Sequence, residues 1–344
     1  MLRKRSLVFI VILFTLSGCR KSPTIAPSFY YWKTIFQISS AEIQLLDTLH
    51  ISRIYLRCFD IVYKAEQKKL IPESPIIFSS KVPEKIEIVP VIYITNKSFL
   101  QIIEDSIPDL ALKIISFTNN CLAPQKIQYH EMQIDCDWTE TTRSKYFLLL
   151  KVLREKLSPQ HKTLSATLRL HQIKYKRKTG VPPVDRGMLM FYNMGSLSAQ
   201  NKNNSIYNAE IATQYINYLK DYPLKLDMAL PIFTWGVHLR SGKILSLVNN
   251  LSTDEATASN LFHESTAGLL VAKSGFFFHG EYYQQYDQLR MEEITPEIAK
   301  KAALQLAEKL TITDSTNIVL YHFDSTNLSR YEVKDFNQLY HTFN

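Results

Sequence analysis

Apolar positions along the chain follow two periods in alternation. Eight short runs of apolar or alternating residues predict strands. Most are separated by stretches whose apolar residues recur every three to four positions, the signature of helices. The first run, "FYYWKTIFQ" at 29–37, is rich in aromatic and β-favouring residues. Ser39 and Glu42 then form a Ser-x-x-Glu capping box ahead of Ile43, Leu46 and Leu49, one face of a helix. Further strands are predicted at "ISRIYLRCFDI" (51–61), at "KIEIVPVIYIT" (85–95), where Pro90 is awkward, and at "KIQYHEMQI" (126–134), reaching Asp135. Helical turns are expected within 98–117. Phe147, Leu150, Leu153 and Leu157 mark a clear helical stripe. "TLSATLRLHQI" (163–173), "GMLMFYNM" (187–194), "LKLDMALPIF" (224–233) and "NIVLYHFD" (317–324) complete the set. Helices are expected over 205–219, over 328–341 and after Thr295-Pro296, where threonine caps and proline occupies the first turn.

Strand and helix in this alternation predict an α/β fold, a (β/α)8 barrel spanning 29–344 as one domain. The stretch 240–294 breaks the rhythm and reads as an insertion before the last βα unit. A doubly wound sheet is the alternative, but no glycine-rich phosphate loop follows the first strand.

The N-terminus adds a compartment. Arg3, Lys4 and Arg5 precede the apolar run "LVFIVILF" (7–14), too short for a settled membrane span, and Leu16-Ser17-Gly18-Cys19 follows. This pattern resembles a bacterial lipoprotein signal. It implies cleavage after residue 18, a lipidated Cys19 anchored in a bilayer, a tether over 19–28 and a place in the cell envelope outside the cytoplasm. Removing the three basic residues lowers the formal net charge from +8 to +5, too mild and scattered to imply nucleic acid. Cys58, Cys121 and Cys136 are odd in number and form no CxxC, which excludes a disulfide framework. Oligomeric state is not legible.

The functional face of a barrel is the C-terminal end of its strands. There the chain places Asp135, Asp137, Trp138, Glu140, Tyr192, Asn193, Trp235 and Asp324, along with Asp60, Asn96 and several histidines. Carboxylates and carboxamides among Trp and Tyr suit sugars, because rings stack on pyranose faces and carboxylates bind hydroxyls. Glycosidic cleavage further needs a carboxylic acid beside the leaving oxygen. The strand period of two turns Asp135, Asp137 and Thr139 toward the barrel axis, and Cys136, Trp138 and Glu140 toward the helices. A turn after Thr139 either swings Glu140 into the site or leaves it in the first turn of the next helix as a dipole partner. The histidines show no HxH or HExxH spacing and no GxSxG occurs, so neither metal, cofactor nor serine nucleophile is expected.

The stretch "MQIDCDWTE" resembles the fourth-strand motif D-G-x-D-x-D-W-E of the chitinase-like glycoside hydrolase family 18 barrels. Asp135, Asp137 and Trp138 match the last two aspartates and the tryptophan; Met132 and Gln133 replace the first aspartate and the glycine. Thr139 stands where the family has its catalytic glutamate, and Glu140 comes one residue late. Met190-Phe191-Tyr192-Asn193 matches the family's M-x-Y-D except for asparagine, and "ALPIFTWG" loosely matches its seventh-strand pattern. The resemblance implies that Asp137 orients a substrate N-acetyl group whose oxygen attacks the anomeric carbon, with Tyr192 supporting it. Asp135, Asp137, Glu140 and Tyr192 are then the catalytic candidates, and Trp138, Asn193, Trp235 and Asp324 the sugar-contacting ones. With the acid displaced, either Glu140 serves by a local backbone shift, or the barrel is a glycan-binding or structural surface protein.

The anchor has a direct check. Intact mass of membrane-extracted protein is expected to show residues 1–18 removed and acyl chains on Cys19, with Cys19→Ser released or misprocessed. Residues 1–18 still joined to an unmodified Cys19 would exclude it.

Overall fold

The computed structural model describes residues 24–200, 203–310, 312 and 315–343. The leader and Cys19 lie outside the described residues. Eight parallel strands form a closed barrel: β1 (Ile25–Tyr31), β2 (Arg53–Lys64), β3 (Glu87–Ile94), β4 (Glu131–Asp135), β5 (Thr163–Arg169), β6 (Arg186–Met190), β7 (Lys225–Pro231) and β8 (Thr316–Tyr321). Each pairs with the next, and β8 closes onto β1 from Ile25↔Thr316 to Phe29↔Leu320. Residues 25–28, expected in the tether, therefore belong to the first strand, because their backbone completes the ladder to β8.

Helices cover the outside: α1 (Ser40–Thr48), α2 (Ile107–Leu122), α3 (Arg143–Leu157), α4 (Leu170–Lys174), α5 (Ala209–Ile216), α6 (Pro296–Ala307) and α7 (Val333–His341). Their starts follow local chemistry. The Ser39–Glu42 capping box forms at α1, and the Thr295 side chain accepts a hydrogen bond from the Ile298 amide ahead of Pro296 in α6. The stripe of α3 buries Leu149, Leu150, Leu153 and Leu157 completely.

The β2–β3 crossover departs from the alternation. It carries no helix; instead Lys69–Glu73 runs antiparallel to the end of β2, and Ile77–Phe78 pairs with Ile35–Phe36. Pro90 is accommodated in β3 opposite a bulge in β2. The register steps from Arg57↔Val91 to Phe59↔Ile92, which leaves Cys58 out of the ladder, and the Cys58 carbonyl accepts from the Ile76 amide at 2.7 Å.

Between β7 and α6 lies a five-stranded antiparallel sheet built from Thr234–Arg240, Lys243–Asn249, Phe262–Thr266, Leu269–Ala272 and Gln288–Glu293. It has its own small core around Leu251, Leu270, Tyr283 and Leu289. Its first strand starts ahead of the expected 240, because "ALPIFTWG" runs apolar across the junction and hides the end of β7 at Pro231. The "GFFFHGEYY" segment is a hairpin, Phe276–Phe278 with Glu281–Tyr283, apart from the barrel. No helix among the described residues is long and apolar enough to cross a membrane.

The barrel interior is unusually polar near its N-terminal end. Arg53 reaches Glu87 (2.8 Å), Glu131 (3.5 Å) and Asn317 (3.2 Å). Arg186 pairs with Asp227, which also accepts from the Asn317 amide at 2.7 Å and is 1% exposed. Breaking such a buried pair leaves an uncompensated charge, so Asp227→Ala is expected to lower stability by about 3–5 kcal/mol in chemical denaturation. A loss under about 1 kcal/mol would show that solvation of the partly exposed Arg186 compensates and that the pair is not structural.

Candidate functional site

Strand β4 sets the site through its period of two. Its inward positions are Glu131, Gln133 and Asp135, and Asp137 follows two residues past its end. Each meets a polar side chain of β5. Ser165 donates to Glu131 and accepts from the Gln133 amide, and Tyr30 donates to Gln133. Thr167 donates to Asp135 at 2.6 Å. Arg169, the last residue of β5, forks onto Asp137 with Nε–Oδ1 at 2.6 Å and Nη2–Oδ2 at 3.2 Å. The ladder passes from the barrel floor to its mouth.

The two aspartates differ because their surroundings differ. Asp135 is buried beneath the mouth, and burial pushes its carboxyl up to about 6, with Asp137 adding to the rise and Arg169 and Thr167 opposing it. Asp137 is half exposed and held by the Arg169 fork. Arg169 stays charged: burial acts against its charge, but Asp137 outweighs this and raises its pKa.

Above this pair lies a cavity of about 400 Å³, lined by Asp137, Trp138, Thr139, Arg169, Leu170, His171, Tyr192, Asn193, Met194 and Tyr215. Four of the candidates read from the sequence thus share one cavity: Asp137, Trp138, Tyr192 and Asn193. Trp138 is only 1% exposed. Its ring packs on Tyr146 and Phe147 of α3, and its indole donates to the Thr179 carbonyl at 2.9 Å. It is a wall of the cavity, with its face given to the helices. Tyr192 is buried, stacks on Tyr321 at 5.0 Å and directs its hydroxyl to the Met190 sulfur. Asn193 holds a left-handed backbone at φ 52°, which asparagine tolerates better than most residues.

The others stand elsewhere. Glu140 is exposed in the turn before α3 and is not among the lining side chains. That turn is tied by Thr142, which accepts from the Thr139 amide at 2.9 Å and donates to Asn96. Trp235 belongs to the inserted sheet; it donates to Glu292 at 2.9 Å and meets Phe233, which in turn meets Tyr192 and Tyr321. Asp324 caps the short helix Ser325–Leu328 and pairs with Lys33 at 2.7 Å; despite burial, Lys33 keeps its pKa low. Among the described residues no group of three or more His, Cys, Asp or Glu is placed to hold a metal ion.

Arg169 is the site residue that strand-end reading passed over. It lies in a predicted strand, two residues after Thr167, so the same period that turned Asp137 inward turns Arg169 toward it. Tyr321 and Trp32, whose rings meet at 5.8 Å, extend the aromatic set across β8 and β1 and were likewise legible only as strand-end aromatics.

No family model matches the chain, and no curated protein does. Solved structures do. The spore cortex-lytic enzyme SleL of Bacillus cereus superposes with a TM-score of 0.53 at 14% identity, covering 94% of this chain and 75% of that one. A chitinase from Chromobacterium violaceum gives 0.52 at 11%, covering 91% and 98%. The chitinase-like agglutinin of Robinia pseudoacacia gives 0.53 at 11%, covering 92% and 99%. At 14% identity or less, this likeness is one of fold: the chain shares the (β/α)8 barrel of these proteins.

The raised Asp135 carboxyl gives a pH signature. The folded chain keeps a proton that the unfolded chain, with an ordinary value of 3.8, has released. Its stabilising contribution is fully present below about pH 4 and is lost as pH rises through about 6, a change of about 1–3 kcal/mol. Asp135→Asn removes this dependence, so its Tm relative to the unaltered chain is expected to climb between those values. A constant difference in Tm across the window would contradict the raised value.

Proposed function

We propose that the protein is a lipid-anchored glycan-binding barrel of the cell envelope, derived from the chitinase-like hydrolases and lacking their proton donor. The observation that carries this reading is the pairing at the mouth. Thr139 occupies the position of the family's acid, and Asp137 is held by Arg169. A threonine hydroxyl is far too weak an acid to protonate a leaving oxygen. Both oxygens of Asp137 already accept from Arg169. What remains suits recognition: Asp137 and Asn193 for hydroxyl or N-acetyl groups, Arg169 as a donor, and Tyr192 and Tyr215 as walls. One barrel of the same fold is described as an agglutinin, which is compatible with this role but does not assign it. The ligand class is N-acetylated oligosaccharide, outside the cytoplasm.

A second reading keeps hydrolysis, with Glu140 as donor. It is favoured by the survival of Asp137 and by the exposed turn that carries Glu140 next to a lining residue. The two separate cleanly. With a panel of N-acetylated oligosaccharides, the binding reading expects affinity without cleavage. Asp137→Ala or Arg169→Ala should weaken it about tenfold or more, as for a charge-assisted hydrogen bond, while Glu140→Gln leaves it unchanged. Cleavage that falls about 10²- to 10⁴-fold in Glu140→Gln would replace the binding reading with the hydrolytic one. Neither affinity nor cleavage across the panel would remove both.

A further inference from the structure

The face of the barrel opposite the site carries a second cavity, of about 540 Å³, at the N-terminal ends of β6, β7 and β8. Its construction is amphiphilic. Leu219, Leu224, Leu226 and Leu310 supply an apolar lining, while Lys220, Lys225 and Lys309 are exposed at its edge. An apolar lining with a cationic edge calls for an anionic head on an apolar tail.

The position of the cavity selects the source of such a ligand. Thr316 lines it, and the Thr316 amide donates to the Thr24 carbonyl at 3.0 Å, just where the chain enters β1. Residues 20–24 are all that separates this point from Cys19, and five extended residues span at most about 18 Å. An acylated Cys19 therefore holds this face against the bilayer. We infer that the N-terminal face of the barrel docks on an anionic lipid surface, and that the cavity takes the headgroup and upper chain of an anionic phospholipid. Lys126 and Lys162 stand on the connections into β4 and β5 at the same face, while Lys81 and Lys85 there pair with Glu84 and Asp47. The docked barrel presents its Asp137–Arg169 mouth away from the membrane, toward envelope glycan.

The orientation and the choice of a membrane lipid rest on the proposed anchor; binding to vesicles is measured independently of it. Because β1 begins at Ile25, a chain starting at residue 20 keeps all eight strands and has neither leader nor acyl group. This chain is expected to cosediment with vesicles of equal parts phosphatidylglycerol and phosphatidylcholine, and at least about tenfold more weakly with phosphatidylcholine alone, with added salt reducing the difference. Lys220→Gln and Lys309→Gln, both at exposed positions, are expected to weaken binding about fivefold each, with glycan affinity and Tm unchanged. Equal binding to neutral vesicles, or binding indifferent to both lysines, would overturn the inference. So would capture of inorganic phosphate with no vesicle binding, which would mark a soluble-anion site. Failure of the anchor is read separately, from the mass of Cys19, and failure of the glycan reading from the oligosaccharide panel.

Discussion

Every polar side chain that β4 turns inward must find a partner on a neighbouring strand, and this requirement organises the molecule. Buried carboxylates are tolerated only when hydrogen-bonded or paired. Glu131, Asp135 and Asp137 meet Ser165, Thr167 and Arg169 in turn because parallel strands keep the two columns in step. The same ladder sets the electrostatic gradient. Burial pushes Glu131 up to about 7 and Asp135 to about 6, whereas Asp137, at the mouth, is held by a guanidinium. A shift of one strand against the other would leave several buried charges alone, so the register of β4 and β5 is strongly specified.

The consequence for chemistry is at the top of the ladder. A hydrolytic barrel needs a protonated acid over the scissile oxygen, with the aspartate below it free to orient substrate. Here the turn after Trp138 carries Thr139, whose neighbours are the hydroxyls of Thr141 and Thr142. The aspartate is committed to Arg169. In the reading proposed here, a cavity of polar and aromatic side chains with threonine at this turn recognises a ligand and does not cleave it.

The two ends of the barrel divide the work. The C-terminal mouth is built from strand ends, an aromatic set running from Trp32 through Tyr321, Tyr192 and Phe233 to Trp235, and the inserted sheet that brings Trp235 there. The N-terminal end carries the lysines, the amphiphilic cavity and the entry of the chain. That separation follows from parallel strands: all of them begin at one end of the barrel and finish at the other.

Eight strands and most of the helices were legible in the sequence because their apolar residues repeat at periods of two and three to four, and because caps such as Ser39–Glu42 and Thr295-Pro296 are local. The same period placed Trp138 toward the helices and Asp137 toward the axis. Three things were not legible. The end of β7 and the start of the inserted sheet are both apolar, and periodicity cannot divide one buried run from the next. The first residues of β1, "IAPS", have little strand propensity of their own; pairing with β8, nearly three hundred residues away, makes them a strand. And the partner of Asp137 is thirty-two residues distant, so nothing local marks Arg169 as part of the site. Periodicity and capping act within a few residues, and the sequence by itself determined what they govern. Only the closed barrel decided which charges meet, because that depends on register between strands.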